Sequence, residues 1–558
     1  MIYVEIAVGI ILLVFIKIRV DKRKLEAKLN QQLEETWGQV PIQEYTYEKL
    51  ASIPKYYETK KNSSLDVDDI TWNDLDMDRI YMLLNHTESS IGEEYLYSML
   101  RKIQYSLETL DERNRLITFF SKHANERKNL QKKLRMMGKL KDVSFYEYIN
   151  RVDALESHKP YLHFFCMLSF PASIASTLIS GVGAYAFGLI FASVAFNIIV
   201  YYKRKAKIEI FFNVFSYILR SLAFMQEISE TKIPELHSYF EELSIEVSNF
   251  KRFRRGSSLV ISKNAAGSVE DILLDYLRML FHFDLIKFDF MLKELRDKKE
   301  NLNHLFEIIG ILDSCIAVSS FRQLMNDEYC IPVFLKETCS LQVEEVYHPL
   351  IIHPIKNTIL TNRSVILTGS NASGKSTFIK TIAINAILAQ TINTSLSKSY
   401  TSGFFKIYSS MALRDDIMSQ ESYYIVEIKS LKRIYDESGM QIPILCFIDE
   451  VLRGTNTAER IAASGQILKS LSFRNALVFA ATHDVELTYI LDAYYQNFHF
   501  EERIEGNNVL FDYQLRDGRA SSRNAIKLLG MMGYTSEIID MATNEVNHFL
   551  KTNTWNTL

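Results

Sequence analysis

A glycine-rich turn between an apolar run and a helical pattern decides the fold of the second half of this chain. The stretch reads Ser364-Val365-Ile366-Leu367-Thr368, followed by Gly369-Ser370-Asn371-Ala372-Ser373-Gly374-Lys375-Ser376. The glycines, the lysine and the final serine have the spacing of a loop whose backbone N–H groups surround phosphates at a helix N-terminus. We therefore predict that residues 369–377, ending at Thr377, bind a nucleotide. Lys375 would reach the β- and γ-phosphates, and Ser376 would be a ligand of Mg²⁺.

Two further apolar runs end in polar residues that suit the same site. Ile444–Ile448 precedes Asp449 and Glu450, and Leu477–Ala481 leads to His483. The carboxyl ends of parallel strands meet at one sheet edge, so these side chains are expected beside the loop. We predict that Asp449 holds Mg²⁺, directly or through water, and that Glu450 polarises the attacking water. His483 contacts the γ-phosphate or that water, or else has a structural role.

The two halves of the chain differ in their periodicity. From about residue 340, short β-branched runs alternate with helical patterns, which indicates an α/β domain with parallel strands, placed at residues 336–558. Upstream, apolar positions three and four residues apart predict helices in segments 21–160 and 203–335. Within the latter, two long amphipathic arms are predicted at residues 205–250 and 268–326, separated by Lys251–Arg255 and a strand-like Ser258–Ser262.

An uncharged run in the middle of the chain predicts a membrane hairpin. Residues 161–202 are 42 consecutive residues without Asp, Glu, Lys or Arg, and about 20 residues suffice for one helical span. Gly181-Val182-Gly183 would be the turn between two spans. Basic residues precede and follow the run, which places both of its ends on the cytoplasmic side. A buried hairpin of a large soluble protein is the alternative.

A second apolar run, Ile2–Ile16, opens the sequence and is followed by several basic residues. This polarity is the reverse of a cleavable signal and predicts an anchor at residues 1–20. A helix lying on the membrane surface is the alternative, because the run is short for a span. Either way, we expect a multi-pass protein of the cell membrane whose helical and α/β domains share the cytoplasm.

Composition sets broad limits on the function. A net charge of -3 excludes a generally basic nucleic-acid-binding protein but allows a local basic surface. Five cysteines without a Cys-x-x-Cys pair make a disulfide framework or a cysteine-rich zinc site improbable. The local basic surface is Lys251, Arg252, Arg254 and Arg255, which either binds the backbone of DNA or is a solvated or lipid-facing loop.

The segments around the loop together resemble the ATPase domain of the MutS family, the mismatch-repair relatives of the ABC ATPases. The most specific segment is residues 415–427, with paired aspartates, a serine-containing loop and Val426-Glu427. The family's serine reaches the γ-phosphate of a partner subunit, so the resemblance implies that role for Ser422. Residues 449–457 and 481–483 are also similar, with Asn456 as a departure from the family pattern, and Asn371 stands where MutS proteins have Asn.

Segments upstream extend the resemblance to the helical core and lever of MutS proteins, among them Trp72–Asp78 and Ile311–Phe321. The implied fold is therefore multidomain: an α-helical core and lever region with transmembrane helices, followed by an α/β phosphate-loop ATPase domain of the ABC type. ATP and Mg²⁺ are the implied cofactors, and a homodimer formed through the ATPase domains is the implied assembly. We expect no mismatch-reading domain before the helical core, where the apolar anchor stands instead.

Two functions are compatible with these features. The first is a membrane-anchored ATPase that couples hydrolysis at a dimer interface to DNA binding, in mismatch repair or at another DNA structure. The second is a signalling or assembly ATPase that acts on a protein partner, such as another repair or membrane protein, without recognising mismatches. Binding of the purified protein to duplex DNA across salt concentrations distinguishes them.

Overall fold

The computed structural model describes most of the chain. The described residues are 17, 19–21, 23–24, 26–61, 65–154, 160–180, 184–256, 269–336, 338–370, 373–411, 423–453, 455–505, 508–520, 526, 529, 532–552 and 554–557. Residues 1–16 and 18 of the N-terminal anchor predicted at residues 1–20, and the strand predicted at residues 258–262, lie outside them.

Two compact units share the chain, and both are discontinuous. The first unit comprises Met1–Lys61, Leu84–Ser98 and Arg115–Leu324, and the second comprises Asn62–Leu83, Met99–Asn114 and Met325–Leu558. The second unit therefore includes two short pieces of the helical region in addition to the α/β domain. The domains predicted from the sequence are continuous segments and do not describe this division.

Helices form the upstream region. Local signals fix several of their ends: the Ser144 hydroxyl accepts from Glu147 N at 3.1 Å at one N-terminus, and the Asp68 carboxylate accepts from Thr71 N at 2.8 Å at another. The α-helices are Tyr47–Ser52, Lys55–Thr59, Asp69–Asp74, Met77–Leu84, Ser90–Arg101, Leu107–Lys122, Ala124–Met137, Phe145–Arg151, Pro160–Ser180, Ala184–Ser229, His237–Ser248, Lys251–Arg254, Val269–Phe281, Phe283–Asp297 and Lys299–Leu324, with 3-10 turns at Val152–Ala154 and Pro234–Leu236.

Three helices in the described part of the chain are long and apolar enough to cross a membrane. Two of these stretches, Tyr161–Ile179 and Phe187–Glu209, belong to the predicted hairpin, and only 17% of each is buried within the protein. Their exposed side chains are large and apolar, for example Leu178 and Ile179. The third helix, Lys299–Leu324, is 83% buried, so the first unit itself surrounds its apolar side chains.

The hairpin is fastened to the rest of the first unit by polar contacts near its base. The Asn197 amide donates to Cys166 O at 2.9 Å and to Leu280 O at 2.8 Å, which joins both hairpin helices to the end of helix Val269–Phe281. His282, in the left-handed region at φ 53°, ends that helix, and its Nδ1 lies 3.0 Å from His163 Nδ1. The break after Phe281 is therefore held in place by the hairpin.

Both predicted arms are helical, but each consists of more than one helix. The second hairpin helix continues without interruption from Ala184 to Ser229, and the second predicted arm consists of three helices. Buried apolar residues recur at a spacing of three and four beyond the uncharged run, and no Gly or Pro interrupts residues 203–229, so nothing ends the helix there. Lys251–Arg254 is a short helix, because Phe253 is buried and its ring lies 6.0 Å from that of Phe215.

The second unit contains twelve named strands in its described part. The strands are β1 Val333–Phe334, β2 Leu341–Val346, β3 Asn357–Thr361, β4 Ser364–Thr368, β5 Ser399–Ser402, β6 Lys406–Ser410, β7 Ile444–Asp449, β8 Ala476–Ala481, β9 Tyr495–His499, β10 Glu502–Glu505, β11 Asn508–Phe511 and β12 Arg516–Asp517.

A six-stranded sheet forms the centre of the second unit, in the order β12-β9-β4-β8-β7-β6, with β12 antiparallel and the others parallel. The three strands predicted from continuous apolar runs are confirmed as β4, β7 and β8, and all their residues are buried. A four-stranded sheet has the order β1-β5-β2-β3, and β10 and β11 form a hairpin.

Helices of the second unit connect these strands. The helix Lys375–Ile392 follows β4, the helix Tyr423–Glu437 precedes β7, and the helix Thr457–Ser472 precedes β8. Val485–Ile490 and Ser536–Thr552 complete the set among the described residues. Because β4, β8 and β7 are adjacent and parallel, the residues that follow them share one edge of the sheet.

Candidate active site

The predicted phosphate loop, residues 369–376, begins directly after β4, and its last two residues begin the helix Lys375–Ile392. Gly369 and Gly374 have φ angles of 147° and 106°, which glycine adopts far more readily than other residues. A Cβ atom on Gly369 would lie 2.8 Å from Phe500 O, so the neighbouring chain also requires glycine there. Asn371 and Ala372 lie outside the described residues.

Lys375 lies inside the loop that precedes it. Its ammonium group donates to Gly369 O at 2.7 Å and to Ser370 O at 2.8 Å. Burial lowers the pKa of Lys375 to about 8, an effect that the nearby carboxylates of Glu450 and Asp449 partly offset. Ser376 and Thr377, at the start of the helix, are exposed. The loop thus presents a buried cation next to open N-terminal helix positions.

β7 ends at Asp449 beside the loop, and Glu450 is the residue that follows. Asp449 is the last residue of the strand and is buried, whereas Glu450 is partly exposed with a left-handed φ of 59°. Glu450 Oε1 lies 2.7 Å from His483 Nε2, and Glu450 Oε2 pairs with Arg453. His483 follows β8, so neighbouring strand ends bring the two predicted residues together.

Two neighbouring side chains, His483 and Arg453, control the charge of Glu450. Burial alone would raise the pKa of this carboxyl group, but hydrogen bonds and charge from His483 and Arg453 outweigh burial and lower the pKa to about 2. Glu450 is therefore ionised throughout the physiological pH range. Such a carboxylate accepts and orients hydrogen bonds well but is a weak base in this paired state.

Two buried oxygen atoms at the site lack hydrogen-bond partners. Among the described residues, Ser373 Oγ and Asp449 Oδ1 are buried polar atoms without a partner. Leaving a buried polar atom unpaired costs about 1–3 kcal/mol, so such atoms are uncommon unless a ligand satisfies them. Both belong to residues that the sequence predicted to contact the phosphates or the metal ion.

Sequence reasoning missed several residues that adjoin the loop. The Glu502 carboxylate accepts from the Ser370 hydroxyl at 2.7 Å, and a Cβ atom on Gly374 would lie 3.1 Å from the Tyr513 ring. A cavity of about 380 Å³ lies beside Gly374, with His348, Phe378 and Tyr513 among its lining residues. Burial lowers the pKa of His348 to about 4, so its ring is neutral at pH 7. These residues come from separate segments and form no local motif, so no signal in the sequence identifies them.

The remaining predicted residues do not join this cluster in the described structure. Ser422 lies in residues 412–422, outside the described part of the chain. Lys251, Arg252 and Arg255 belong to the first unit and are exposed, whereas Arg254, partly buried, hydrogen-bonds to Gln226. The four basic residues therefore form a separate cationic surface on the first unit.

The α/β domain that contains this site is similar to domains of known proteins. The family model described as MutS domain V matches residues 365–550. The chain is 28% identical over 272 residues to the DNA mismatch repair protein MutS of Thermotoga maritima, covering 47% of this chain and 34% of that protein. It is 31% identical over 267 residues to MutS protein homolog 4 of Homo sapiens, covering 44% of this chain and 28% of that protein.

A third relative, the DNA mismatch repair protein MutS of Pseudothermotoga lettingae, is 33% identical over 186 residues, covering 33% of this chain and 23% of that protein. The chain spans about a third or less of the length of each of these curated relatives. The matched region contains the phosphate loop, Asp449, Glu450 and His483. Residues 365–550 therefore form a domain of the MutS domain V type, and the chain is similar to MutS proteins through this domain.

Proposed function

We propose that this protein is a membrane-anchored ATPase of the MutS type, which binds ATP with Mg²⁺, hydrolyses it at a dimer interface and couples hydrolysis to DNA binding. One observation carries the proposal: the phosphate loop with Lys375 lies next to strand ends that present Asp449, Glu450 and His483. The match of residues 365–550 to MutS domain V supports this assignment.

The residues present fit a bound nucleotide and metal ion. Lys375 donates to loop carbonyl groups, and these contacts can be exchanged for phosphate oxygens, which would restore its pKa towards the usual value. The partnerless Asp449 Oδ1 and the exposed Ser376 hydroxyl are oxygen ligands of the kind that Mg²⁺ prefers. The cavity beside Gly374 has aromatic and apolar walls and a volume suited to a nucleobase.

Each residue of the site has a defined role in hydrolysis. Bound Mg²⁺ would supply neutralisation of phosphate charge and would be held by Ser376 and Asp449. Residues 369–377 bind the triphosphate, and Lys375 stabilises the negative charge that develops on it. Glu450 orients the attacking water as a charged hydrogen-bond acceptor, and His483 holds the Glu450 carboxylate in place.

A dimer would complete this site. Ser376, Thr377 and His483 are exposed, so the nucleotide position is open to solvent on one side. A second copy covering that side would exclude water and strengthen every charge interaction inside. The implied role of Ser422 as a residue acting on the partner's nucleotide belongs to this proposal.

The location of the protein is part of the proposal. The hairpin helices expose apolar side chains over enough length for two spans, and residues 1–20 would add a third anchor. Positively charged flanks support a cytoplasmic location for the first unit and the α/β domain. After cell fractionation, the full chain is expected in the membrane fraction and to require detergent, not alkaline carbonate, for release.

The proposed ligand of the first unit is duplex DNA, bound through phosphates. Lys251, Arg252 and Arg255 are exposed on the first unit, where their charges are available to phosphates. Binding through such contacts is insensitive to sequence and weakens by about one power of salt concentration per phosphate neutralised. Replacement of these three residues by Gln should reduce that salt slope. Absence of DNA binding at low salt, with hydrolysis intact, would favour a protein partner.

The decisive experiment measures ATP binding and hydrolysis by the full chain in detergent. Lys375→Ala should abolish tight binding of ATP. Glu450→Gln should bind ATP with near wild-type affinity and hydrolyse it at least about 100-fold more slowly, because it loses the charged acceptor for water. Wild-type turnover in Glu450→Gln, or no hydrolysis by the wild type, would refute the proposal.

A further inference from the structure

The turn that carries Glu450 has an unfavourable backbone. Glu450 and Leu452 have φ angles of 59° and 60°, in the left-handed region that residues with a Cβ atom rarely adopt. Conformations of this kind are unfavourable and persist only where the surroundings fix them. The position of the Glu450 carboxylate therefore depends on whatever holds residues 450–453, which we call the Glu450 turn.

One side chain binds two backbone groups of this turn. Glu427 Oε1 accepts from Leu452 N, and it accepts from Arg453 N at 3.3 Å. At the start of the turn, Glu450 N donates to Ala481 O at 2.9 Å, and Val451 and Leu452 are buried in the core. Neither Leu452 N nor Arg453 N belongs to a helix or strand, so Glu427 replaces the partners that regular structure would give.

The helix that carries Glu427 is itself firmly attached. Tyr423–Glu437 buries Leu431 and Ile434, and Arg433 bonds to the Asp68 carboxylate and to Ser409 O at the end of β6. Glu427 is half-buried, and burial raises the pKa of its carboxyl group, while the two backbone hydrogen bonds lower it. The Glu427 carboxylate thus connects this helix to the Glu450 turn through hydrogen bonds.

We propose that Glu427 is a positioning residue for hydrolysis: it holds the Glu450 turn in its left-handed conformation and so places the Glu450 carboxylate beside His483. This inference rests on the proposed function. Glu427 does not contact the Glu450 carboxylate in the described contacts; it acts through Leu452 N and Arg453 N. Both hydrogen bonds end on the same oxygen atom, so the reach of that oxygen should matter and the negative charge should not.

Three substitutions separate reach from charge. Glu427→Gln keeps an oxygen at the same distance without the charge, and should retain kcat within about threefold of wild type. Glu427→Asp keeps the charge but is one methylene shorter, and should lower kcat about 10–100-fold, as should Glu427→Ala; displacement of a catalytic group by about 1 Å costs on the order of 100-fold. The dissociation constant of ATP should change less than about threefold in all three variants, since the phosphate loop is untouched.

Glu437→Ala is the matched control, because Glu437 lies on the same helix and pairs with Lys406 instead of the turn. It should leave kcat unchanged. The inference is overturned if Asp restores turnover and Gln does not, if Glu427→Ala hydrolyses ATP normally, or if ATP binding falls in parallel with kcat. Glu450→Gln is assayed alongside: normal turnover in that variant refutes the proposed function itself, whereas slow turnover there with normal turnover in Glu427→Ala refutes only the role of Glu427.

Discussion

The pKa of Glu450 in the second unit and the pKa values of Asp313 and Glu94 in the first unit are shifted in opposite directions. In the second unit, Glu450 lies between His483 and Arg453, which lower its pKa to about 2. In the first unit, Asp313 and Glu94 are fully enclosed, and burial raises their pKa values to about 7 and about 8. Glu450 faces His483, Arg453 and solvent, whereas Asp313 and Glu94 face the interior of a helical bundle.

Hydrogen bonding explains the roles of the buried pair. Asp313 Oδ2 accepts from Ser89 N at 3.0 Å and from the Ser89 hydroxyl at 2.6 Å, just before the helix Ser90–Arg101 begins. Glu94 accepts from Phe145 N at 2.7 Å and from the Ser144 hydroxyl at 2.8 Å. Both carboxyl groups satisfy donors at helix N-termini. A shifted pKa alone therefore does not identify a catalytic residue; a partnerless oxygen at the end of a parallel strand, as in Asp449, is the more informative sign.

The strongest test of this contrast removes a buried acid. Asp313→Ala would leave Glu88 N, Ser89 N and the Ser89 hydroxyl without their acceptor. At about 1–3 kcal/mol for each buried unsatisfied group, we expect a loss of about 4 kcal/mol in local stability. Hydrogen exchange of the amides in Ser90–Arg101 measures it. Asp153→Ala, which removes an exposed ion pair with Lys299, should cost less than about 1 kcal/mol. Equal exchange in the two variants would contradict a structural role for Asp313.

A smaller effect is expected from overpacking the same contact. A Cβ atom on Gly92 would lie 2.2 Å from Asp313 Oδ2, so Gly92→Ala must displace a carboxylate that is already fixed by hydrogen bonds. We expect a loss of about 2 kcal/mol, measured by thermal unfolding. Gly465→Ala in the second unit is the control, since the nearest atom to its Cβ would be 3.6 Å away. A stabilised Gly92→Ala variant would show that Asp313 can move freely.

The opposite pKa shifts predict opposite pH dependences. The pKa of Asp313 rises from 3.8 to about 7 on folding, so between these values the folded state keeps a proton that the unfolded chain has lost. The unfolding free energy of the first unit should therefore fall as pH rises, by up to about 1.4 kcal/mol per pH unit. Glu450 should act in the other direction, with stability lost as pH falls from 4.5 towards about 2. The unfolding free energy measured by hydrogen exchange between about pH 5 and 7 should depend less on pH in Asp313→Asn than in the wild type. An unchanged pH dependence would attribute the effect to other groups.

The smallest expected effect concerns Lys375. Its pKa of about 8 means that the free protein loses this charge as pH rises above 8. ATP binds the charged form more tightly, so affinity should fall about fivefold between pH 8 and 9, measured by titration with a fluorescent ATP analogue. Lys375→Met should bind weakly at both pH values without this decline. An equal decline in that variant would attribute it to another group.

Much of the second unit can be predicted from local patterns. Uninterrupted apolar runs identify β4, β7 and β8, because a strand covered on both faces needs apolar residues throughout. The spacing of the loop residues identifies the phosphate site. By contrast, the end of the second hairpin helix could not be predicted from charge. The helix continues past the uncharged run, residues 161–202, to Ser229, because buried apolar residues recur along one face of it.

Local sequence patterns predict the phosphate loop, the acidic strand ends and the long uncharged hairpin, because each depends on residues close together in the chain. The folded structure was needed to reveal that Glu427 binds the Glu450 turn, that Glu502 contacts Ser370, and that Asp313 caps a helix more than two hundred residues away. These contacts join separate segments, and the geometry that makes an oxygen reach an N–H group arises only when the core between them has packed.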